Sequence, residues 1–253
     1  MSAPAGAGLR GAFVAGATGY VGQAVVRRLA AAGLAPVAHV RPDSARLAEW
    51  RGRFEAWGAE VDVTAWDAAA MTATLARLRP PAVFALLGTT RRRGQGTGDT
   101  YESVDYALTA LLLRAARDAG PPWPRFVYLS ALGANAGSGN AYLAVRGRLE
   151  AELAAGPVPW TVARPSFITG PDRAESRPAE RAAAAAVDVL AMPLRSLGRA
   201  VPAAARLADR YRSTSGDELA AALVRLAGDP AAARRVLEGD ALRAAGPSPP
   251  PNG

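Results

Sequence analysis

The chain has 253 residues, of which 50% are hydrophobic and 21% charged, as in an ordinary globular protein with a buried core. It has no cysteine, which excludes disulfides and thiolate metal sites. The net charge of +8 comes from 30 arginines without a lysine, and these are too scattered to predict nucleic-acid binding. No apolar run reaches the roughly 18 residues of a membrane span, and the N-terminus lacks the pattern of a secretory signal. Because the absence of cysteine suits a reducing compartment, a cytoplasmic location is expected, although such a composition fits any compartment.

Short apolar runs alternate with amphipathic helical patterns through the first two thirds of the chain. The runs predicted as strands are 12–16, 36–40, 59–63, 82–88, 125–130 and 160–165. The segments predicted as helices between them include 20–32, 68–79, 102–119 and 141–155. This alternation predicts βαβ units, and hence an α/β fold with a doubly wound parallel sheet covered by helices on both faces.

From about residue 172 the pattern becomes mostly helical, and a small helical cap on the substrate side is predicted at about 172–212. The stretch "STSGDELAAALVRLAG" begins with capping residues and ends on a glycine, as helices do. A last strand in "RRVLEG" and a short helix in "DALRAA" follow. We expect one domain over 11–245, with disordered ends at 1–10 and 246–253.

The stretch "VAGATGYVGQAVVRRLAAAG" predicts a strand, a glycine turn and a helix near the start of the βαβ series. Glycines at the turn allow close approach to a diphosphate, and the helix N-terminus offers backbone N–H groups and a partial positive charge to it. In this context the glycine triplet indicates dinucleotide binding. The residues predicted to hold the diphosphate are Gly16, Thr18, Gly19, Tyr20, Val21 and Gly22.

The end of the second predicted strand bears on which dinucleotide is bound. An NAD site usually places an acidic residue about 20 positions after the glycines. Here the strand runs into Arg41, which suits the 2′-phosphate of NADP, so NADP(H) is favoured over NAD(H). Asp43 keeps NAD open. His39, the single histidine, is interpreted as a buried or packed side chain and is not assigned to the site.

Several motifs in fixed order resemble one family. "GATGYVG" is similar to the glycine signature of atypical and extended short-chain dehydrogenase/reductases. "LLGTTR", "SVDY", "YLSALGAN", "YLAVRGRLEAEL" and "ARPSFITGPDRAESRP" extend the resemblance over roughly 11–240. The pairing of "LGTTR" with "ESRP" is similar to the TIP30-like (HTATIP2) oxidoreductase group.

The resemblance implies a Rossmann sheet with the cofactor across the carboxyl ends of the strands. It implies contacts, in order from adenine to nicotinamide, at Asp62, Val63, Leu87, Gly88, Thr89, Pro165 and Ser166. Asp62 and Val63 would contact adenine. Leu87, Gly88 and Thr89 would line the nicotinamide ribose. Pro165 and Ser166 would wall the nicotinamide. Arg91, after the fourth strand, would attract the cofactor's phosphates or an acidic substrate, or else belongs to a solvated loop.

The resemblance also implies a catalytic group formed by Ser130, Tyr142 and Arg146. The family pattern has a tyrosine, a lysine four residues later, and a serine at the end of the preceding strand. A free phenol, with a pKa of about 10, is a poor proton donor and acceptor at neutral pH, and a nearby cation lowers such a pKa. Arg146 departs from the lysine of the pattern, and its planar fork binds ribose hydroxyls with different geometry. Three interpretations remain: a working acid–cation pair, a cofactor-holding pair without turnover, and an ordinary helix face.

Two functions follow from these motifs. The first is an NADPH-dependent oxidoreductase acting on a small carbonyl or hydroxyl substrate. The alternative is a non-catalytic NADP(H)-binding module that regulates, or senses redox state, and signals to a protein partner. The sequence leaves the substrate and the oligomeric state open.

Overall fold

The computed structural model describes residues 7–88, 100–166, 168–169 and 214–245. The predicted cap at 172–212 and the predicted disordered tail at 246–253 lie outside these residues. The predicted disordered N-terminus is wrong in its last part: Ala7–Leu9 form a 3-10 turn, and Leu9 is buried against the core. The ordered chain therefore begins before residue 11.

Within the described residues, the predicted strands and helices are present with small shifts at their ends. The strands are β1 (Phe13–Ala15), β2 (Val37–His39), β3 (Glu60–Asp62), β4 (Ala82–Ala85), β5 (Arg125–Leu129), β6 (Trp160–Arg164), β7 (Ile168–Thr169), β8 (Thr214–Ser215) and β9 (Arg235–Glu238). The α-helices are α1 (Tyr20–Ala31), α2 (Leu47–Ala56), α3 (Ala68–Leu78), α4 (Thr109–Asp118), α5 (Ala141–Ala155), α6 (Gly216–Gly228) and α7 (Gly239–Ala244).

Two features depart from the prediction. The segment predicted as one helix over 102–119 is a π-helix at Tyr101–Leu108 followed by α4. Helix α2 is an additional element, in which only Trp50 and Phe54 are buried.

Among the described residues, seven strands form a parallel sheet in the order β3-β2-β1-β4-β5-β6-β9, and β7 pairs with β8 separately. The order reverses between β1 and β4, which places a crevice at the carboxyl ends of these two strands. This is the Rossmann-type α/β fold.

Alternating residues of the buried strands pack against different helices. In β5, Val127 belongs to the core shared with α1 and α6, whereas Phe126 and Tyr128 belong to the core shared with α3, α4 and α5. Both faces of the sheet are therefore covered, as a parallel sheet requires. None of the helices in the described ranges has the length and apolar character needed to span a bilayer.

Candidate functional site

The turn between β1 and α1 is shaped by glycines. Gly16 has φ +83°, and a Cβ there would lie 2.6 Å from the Leu86 carbonyl oxygen. A Cβ on Gly22 would lie 2.1 Å from the Gly16 carbonyl oxygen, so the first turn of α1 packs directly on the glycine turn. Gly19 is the N-cap of α1 and has no side chain to cap the helix. The helix start thus presents backbone amides and the positive end of its dipole, which fits a bound diphosphate.

A cleft of about 380 Å³ lies between the loops after β2 and β3 and the π-helix. Its lining residues are Arg41, Pro42, Asp43, Ala65, Trp66, Ser103, Val104 and Leu108. Arg41 is half exposed, and its Nε lies 3.8 Å from a carboxylate oxygen of Asp43. Because the cleft joins the loops after β2 and β3, it stands where the adenosine end of a dinucleotide would lie.

The loop after β3 is held by Asp62. Its carboxylate accepts hydrogen bonds from the Thr64 backbone N–H (3.1 Å) and the Thr64 hydroxyl (2.8 Å). His39 is buried and donates through Nε2 to the Thr64 carbonyl oxygen at 2.8 Å, as expected for a packed histidine. Burial lowers the pKa of His39 below its ordinary value. Asp62 and His39 therefore order the wall of the cleft.

Helix α5 brings Tyr142 and Arg146 together. Asn140 caps the helix by accepting from the backbone N–H groups of Tyr142 (3.0 Å) and Leu143 (3.3 Å). One turn later, the guanidinium carbon of Arg146 lies 5.1 Å from the centre of the Tyr142 ring. The arginine therefore places its charge against the aromatic face of the tyrosine.

The guanidinium of Arg146 is buried and bonded to four protein groups. Its Nη2 donates to an Asp105 carboxylate oxygen at 2.5 Å and to the Leu87 carbonyl at 3.2 Å. Its Nη1 donates to the Leu129 carbonyl and, at 3.4 Å, to the Tyr128 hydroxyl. These bonds account for all four Nη hydrogens, while the buried Nε has no hydrogen-bond partner in the part of the chain that the structure describes.

Burial and charge act in opposite directions on this group. Burial disfavours the charged form of Arg146, but Tyr142, Tyr128 and Asp105 outweigh it and raise the pKa of the guanidinium above its ordinary value. Burial raises the pKa of the Tyr128 phenol to about 12, although Arg146 opposes the shift. Arg146 is therefore a permanent cation at the ends of β4 and β5.

Ser130 belongs to a different group of side chains. Its hydroxyl donates to a Glu150 carboxylate oxygen at 2.5 Å, and Arg164 donates to both oxygens of the same carboxylate, at 3.0 and 2.5 Å. A second carboxylate, Glu238, lies 3.7 Å from Arg164. The hydroxyl hydrogen of Ser130 is thus directed at Glu150.

The π-helix and α5 are joined at several points besides Arg146. Arg148 pairs with Glu102 at 2.9 Å, and Tyr106 donates to Glu152 at 2.5 Å. Arg148 and Glu152 lie four residues apart on α5, and both side chains reach across to the π-helix.

The model of a family described as NAD(P)H-binding matches residues 16–191. The chain belongs to this NAD(P)H-binding family. The matched range includes the glycine turn, the π-helix and α5, and the family supports a nicotinamide cofactor.

Curated relatives align with part of the chain. The protein named "fmp52, mitochondrial" of Aspergillus fumigatus is 39% identical over 119 residues, 46% of this chain and 49% of that protein. "FMP52, mitochondrial" of Debaryomyces hansenii is 29% identical over 163 residues, 63% of this chain and 67% of that protein. The chain spans about half the length of the first of these relatives.

Solved structures share the fold. A short-chain dehydrogenase/reductase family oxidoreductase from Burkholderia thailandensis has a TM-score of 0.57 at 21% identity, covering 87% of this chain and 86% of its own. A UDP-N-acetylglucosamine 4-epimerase from Bacillus cereus has a TM-score of 0.56 at 14% identity, covering 90% and 77%. At these identities the likeness concerns the fold alone.

These comparisons confirm an NAD(P)-binding protein with a Rossmann fold. Membership of the TIP30-like group stays a prediction. The expected cytoplasmic location is wrong, because the curated relatives carry mitochondrial names. A composition without cysteine suits any compartment and gave no basis for choosing one.

The structure brings most of the predicted site residues to one edge of the sheet. Besides the glycine turn and Arg41, these are Asp62, Val63, Leu87, Gly88, Pro165 and Ser166, at or just beyond the ends of β3, β4 and β6. Thr89 and Arg91 lie outside the described residues. A Cβ on Gly88 would lie 3.1 Å from Nη2 of Arg146, so this glycine borders the Arg146–Asp105 pair.

Three polar residues of the site were missed by the sequence reasoning. Asp105 lies in "SVDY", a motif noted for resemblance but given no role, and Glu150 and Arg164 were taken as parts of a helix and a strand. For Asp105 a signal existed: an acidic residue inside an otherwise amphipathic segment, where a buried carboxylate needs a cation. Spacing within one element gave no equivalent signal for Glu150 and Arg164, because they meet across two elements.

Proposed function

We propose that the protein is an NADPH-dependent oxidoreductase of the short-chain dehydrogenase/reductase type that acts on a small carbonyl or hydroxyl substrate. One observation carries the proposal: Tyr142 stands against a buried, permanently charged guanidinium at the same sheet edge as the glycine turn. A phenol beside a fixed cation is suited to donating a proton to a substrate oxygen and accepting it back.

The residues around the crevice fit the parts of the cofactor. The amides at the start of α1 would hold the diphosphate, and the cleft at the loops after β2 and β3 would take the adenosine end. Arg41 would bind the 2′-phosphate of NADP, in competition with its pairing to Asp43. Leu87, Gly88, Pro165 and Ser166 would border the nicotinamide end.

The bound cofactor would exchange a hydride with the carbon of the substrate's carbonyl or alcohol group. Tyr142 would donate the proton to the carbonyl oxygen in reduction, or take it from the hydroxyl in oxidation. The Ser130 hydroxyl donates to Glu150 in this structure, so it would have to turn from that carboxylate to donate to a substrate carbonyl oxygen. A mitochondrial location would fit the names of the relatives.

One observation favours a second function, a non-catalytic NADP(H)-binding module that signals to a protein partner. Ser130 is committed to Glu150, and all four Nη hydrogens of Arg146 are committed to the protein. Two members of the predicted catalytic group are therefore bonded elsewhere.

A cofactor titration followed by a turnover assay separates these functions. NADPH fluorescence should report micromolar binding, and a panel of small aldehydes and ketones should consume NADPH. Tyr142→Phe should abolish consumption while leaving NADPH binding within about threefold. Tyr106→Phe is the matched control. The Tyr106 phenol donates to Glu152 of α5, the helix that also carries Tyr142, so this variant loses a phenol near the site and should retain turnover.

The outcomes are distinct. Full activity in Tyr142→Phe removes the tyrosine from the mechanism. Binding without consumption across the panel, with a partner protein that associates only with the cofactor-bound form, supports the signalling module. Absence of binding to both pyridine nucleotides at millimolar concentration rejects both functions.

A further inference from the structure

The site contains a buried ion pair, Arg146 with Asp105, of which the proposed reaction uses only the arginine. The Asp105 side chain is fully buried and that of Arg146 is 5% exposed, and their closest atoms are 2.5 Å apart. The carboxylate comes from the π-helix, whose wider turn is uncommon and is often found at functional sites. A buried pair of this kind is weak evidence for stability, since desolvation of the two charges offsets their attraction.

The two charges of the pair cancel, and the charge of the arginine is fixed. Arginine does not lose its proton in proteins, so Arg146 stays charged whatever surrounds it. Its bonds to the Leu87 and Leu129 carbonyls fix the guanidinium at the ends of β4 and β5, beside Tyr142. Asp105 is therefore the group that decides whether this end of the crevice carries net charge.

Net charge here matters to the cofactor because its two redox forms differ in charge. The nicotinamide ring is positively charged when oxidised and neutral when reduced. An unpaired cation near the ring would repel the oxidised form and leave the reduced form unaffected. A neutral ion pair removes most of that difference.

We propose that Asp105 is a positioning residue that neutralises Arg146, so that the site binds oxidised and reduced cofactor without the bias of a lone cation. This inference rests on the proposed binding of a nicotinamide cofactor. Asp105, in the motif "SVDY", would thus set the relative affinity for the two redox forms of the cofactor. It would do so through Arg146, without contact to the substrate.

The test compares the dissociation constants of NADP⁺ and NADPH by calorimetry or fluorescence competition. Asp105→Asn leaves Arg146 as a lone cation, and the ratio Kd(NADP⁺)/Kd(NADPH) should rise about tenfold. That factor is of the order expected for unit charges about 10 Å apart at an effective dielectric constant of about 20. Glu102→Gln removes a negative charge from the same π-helix, in an exposed pair with Arg148, and should leave the ratio within about twofold of wild type.

A general loss of structure would weaken both forms together, so the ratio isolates the charge effect. An unchanged ratio in folded Asp105→Asn, or an equal rise in Glu102→Gln, overturns the proposal. The double variant Asp105→Asn/Arg146→Met removes both charges and should restore the wild-type ratio within about twofold.

The double variant also decides the matter if Asp105→Asn alone does not fold, because replacing a whole buried pair is tolerated better than breaking it. Wild type and double variant are both neutral at this place, so a fivefold or larger difference between their ratios contradicts the proposal. Failure of the proposed function looks different: wild type then binds neither NADP⁺ nor NADPH.

Discussion

Three glycines in helix interiors give a test of whether local packing or helix propensity controls stability. Gly22 lies in α1, Gly52 in α2 and Gly147 in α5. By propensity alone, each change to alanine should stabilise its helix by about 1 kcal/mol. The structure predicts the opposite sign for two of them.

The size of the effect follows from the space at each Cα. A Cβ on Gly22 would lie 2.1 Å from the Gly16 carbonyl oxygen, and one on Gly147 would lie 2.3 Å from backbone atoms of Asn135 and Ala136. These neighbours are backbone atoms and cannot rotate away. We therefore expect the destabilisation by overpacking to lie near the upper end of its usual range of about 1–3 kcal/mol. After the propensity gain, Gly22→Ala and Gly147→Ala should each lose about 2 kcal/mol. Gly52 has nothing within 4 Å, and Gly52→Ala should gain about 0.5–1 kcal/mol.

Urea unfolding followed by tryptophan fluorescence and by circular dichroism measures the three free energies. Coincident transitions by the two probes would justify two-state treatment. Gly52→Ala serves as the internal control, since it makes the same chemical change without a neighbour. Equal stabilisation by all three substitutions would refute the close approach of the glycine turn to α1 and of the Asn135 loop to α5.

The remaining predictions concern the cofactor and the pH dependence. Arg41→Gln should weaken NADPH binding about tenfold and leave NADH binding unchanged, because only NADPH has the 2′-phosphate. Paired fluorescence titrations measure both affinities, and equal weakening of both would contradict a role of Arg41 at the 2′-phosphate. The pKa of His39 is lowered by burial, so below about pH 6.5 the unfolded chain binds more protons than the folded one, and stability should fall as the pH drops through that range. Urea midpoints at pH 7.5 and 5.5 should differ more in wild type than in His39→Gln, and equal differences would assign the loss to other groups.

The strand pattern could be predicted because parallel strands buried on both faces are continuous apolar runs. "AVFALL" and "RFVYLS" contain β4 and β5 for this reason. The glycine turn was equally visible, since its spacing is local. Helix α2 was missed because its buried face consists of only Trp50 and Phe54 among polar neighbours.

The partners of the polar side chains could not be predicted in the same way. Arg146 was expected to serve the cofactor and Tyr142, but it also pairs with Asp105, 41 positions earlier, through a π-helix that composition does not reveal. Ser130 shares the face of β5 occupied by Phe126 and Tyr128, which places its hydroxyl beneath α5 and within reach of Glu150. These pairings depend on how strands and helices face each other, so they emerge only once the fold is assembled.

The packing of α6 against α1 has a consequence for the order in which the protein becomes functional. Gly216 begins α6 so close to Tyr20 that a Cβ there would lie 2.4 Å from the tyrosine ring, and Leu219 and Leu223 share a core with Val25 and Leu29. Helix α1, which follows the glycine turn, therefore packs against a segment that the ribosome synthesises nearly 200 residues later. A nascent chain that already contains every glycine of the turn therefore lacks the packing partner of the apolar side of α1 until α6 has been synthesised.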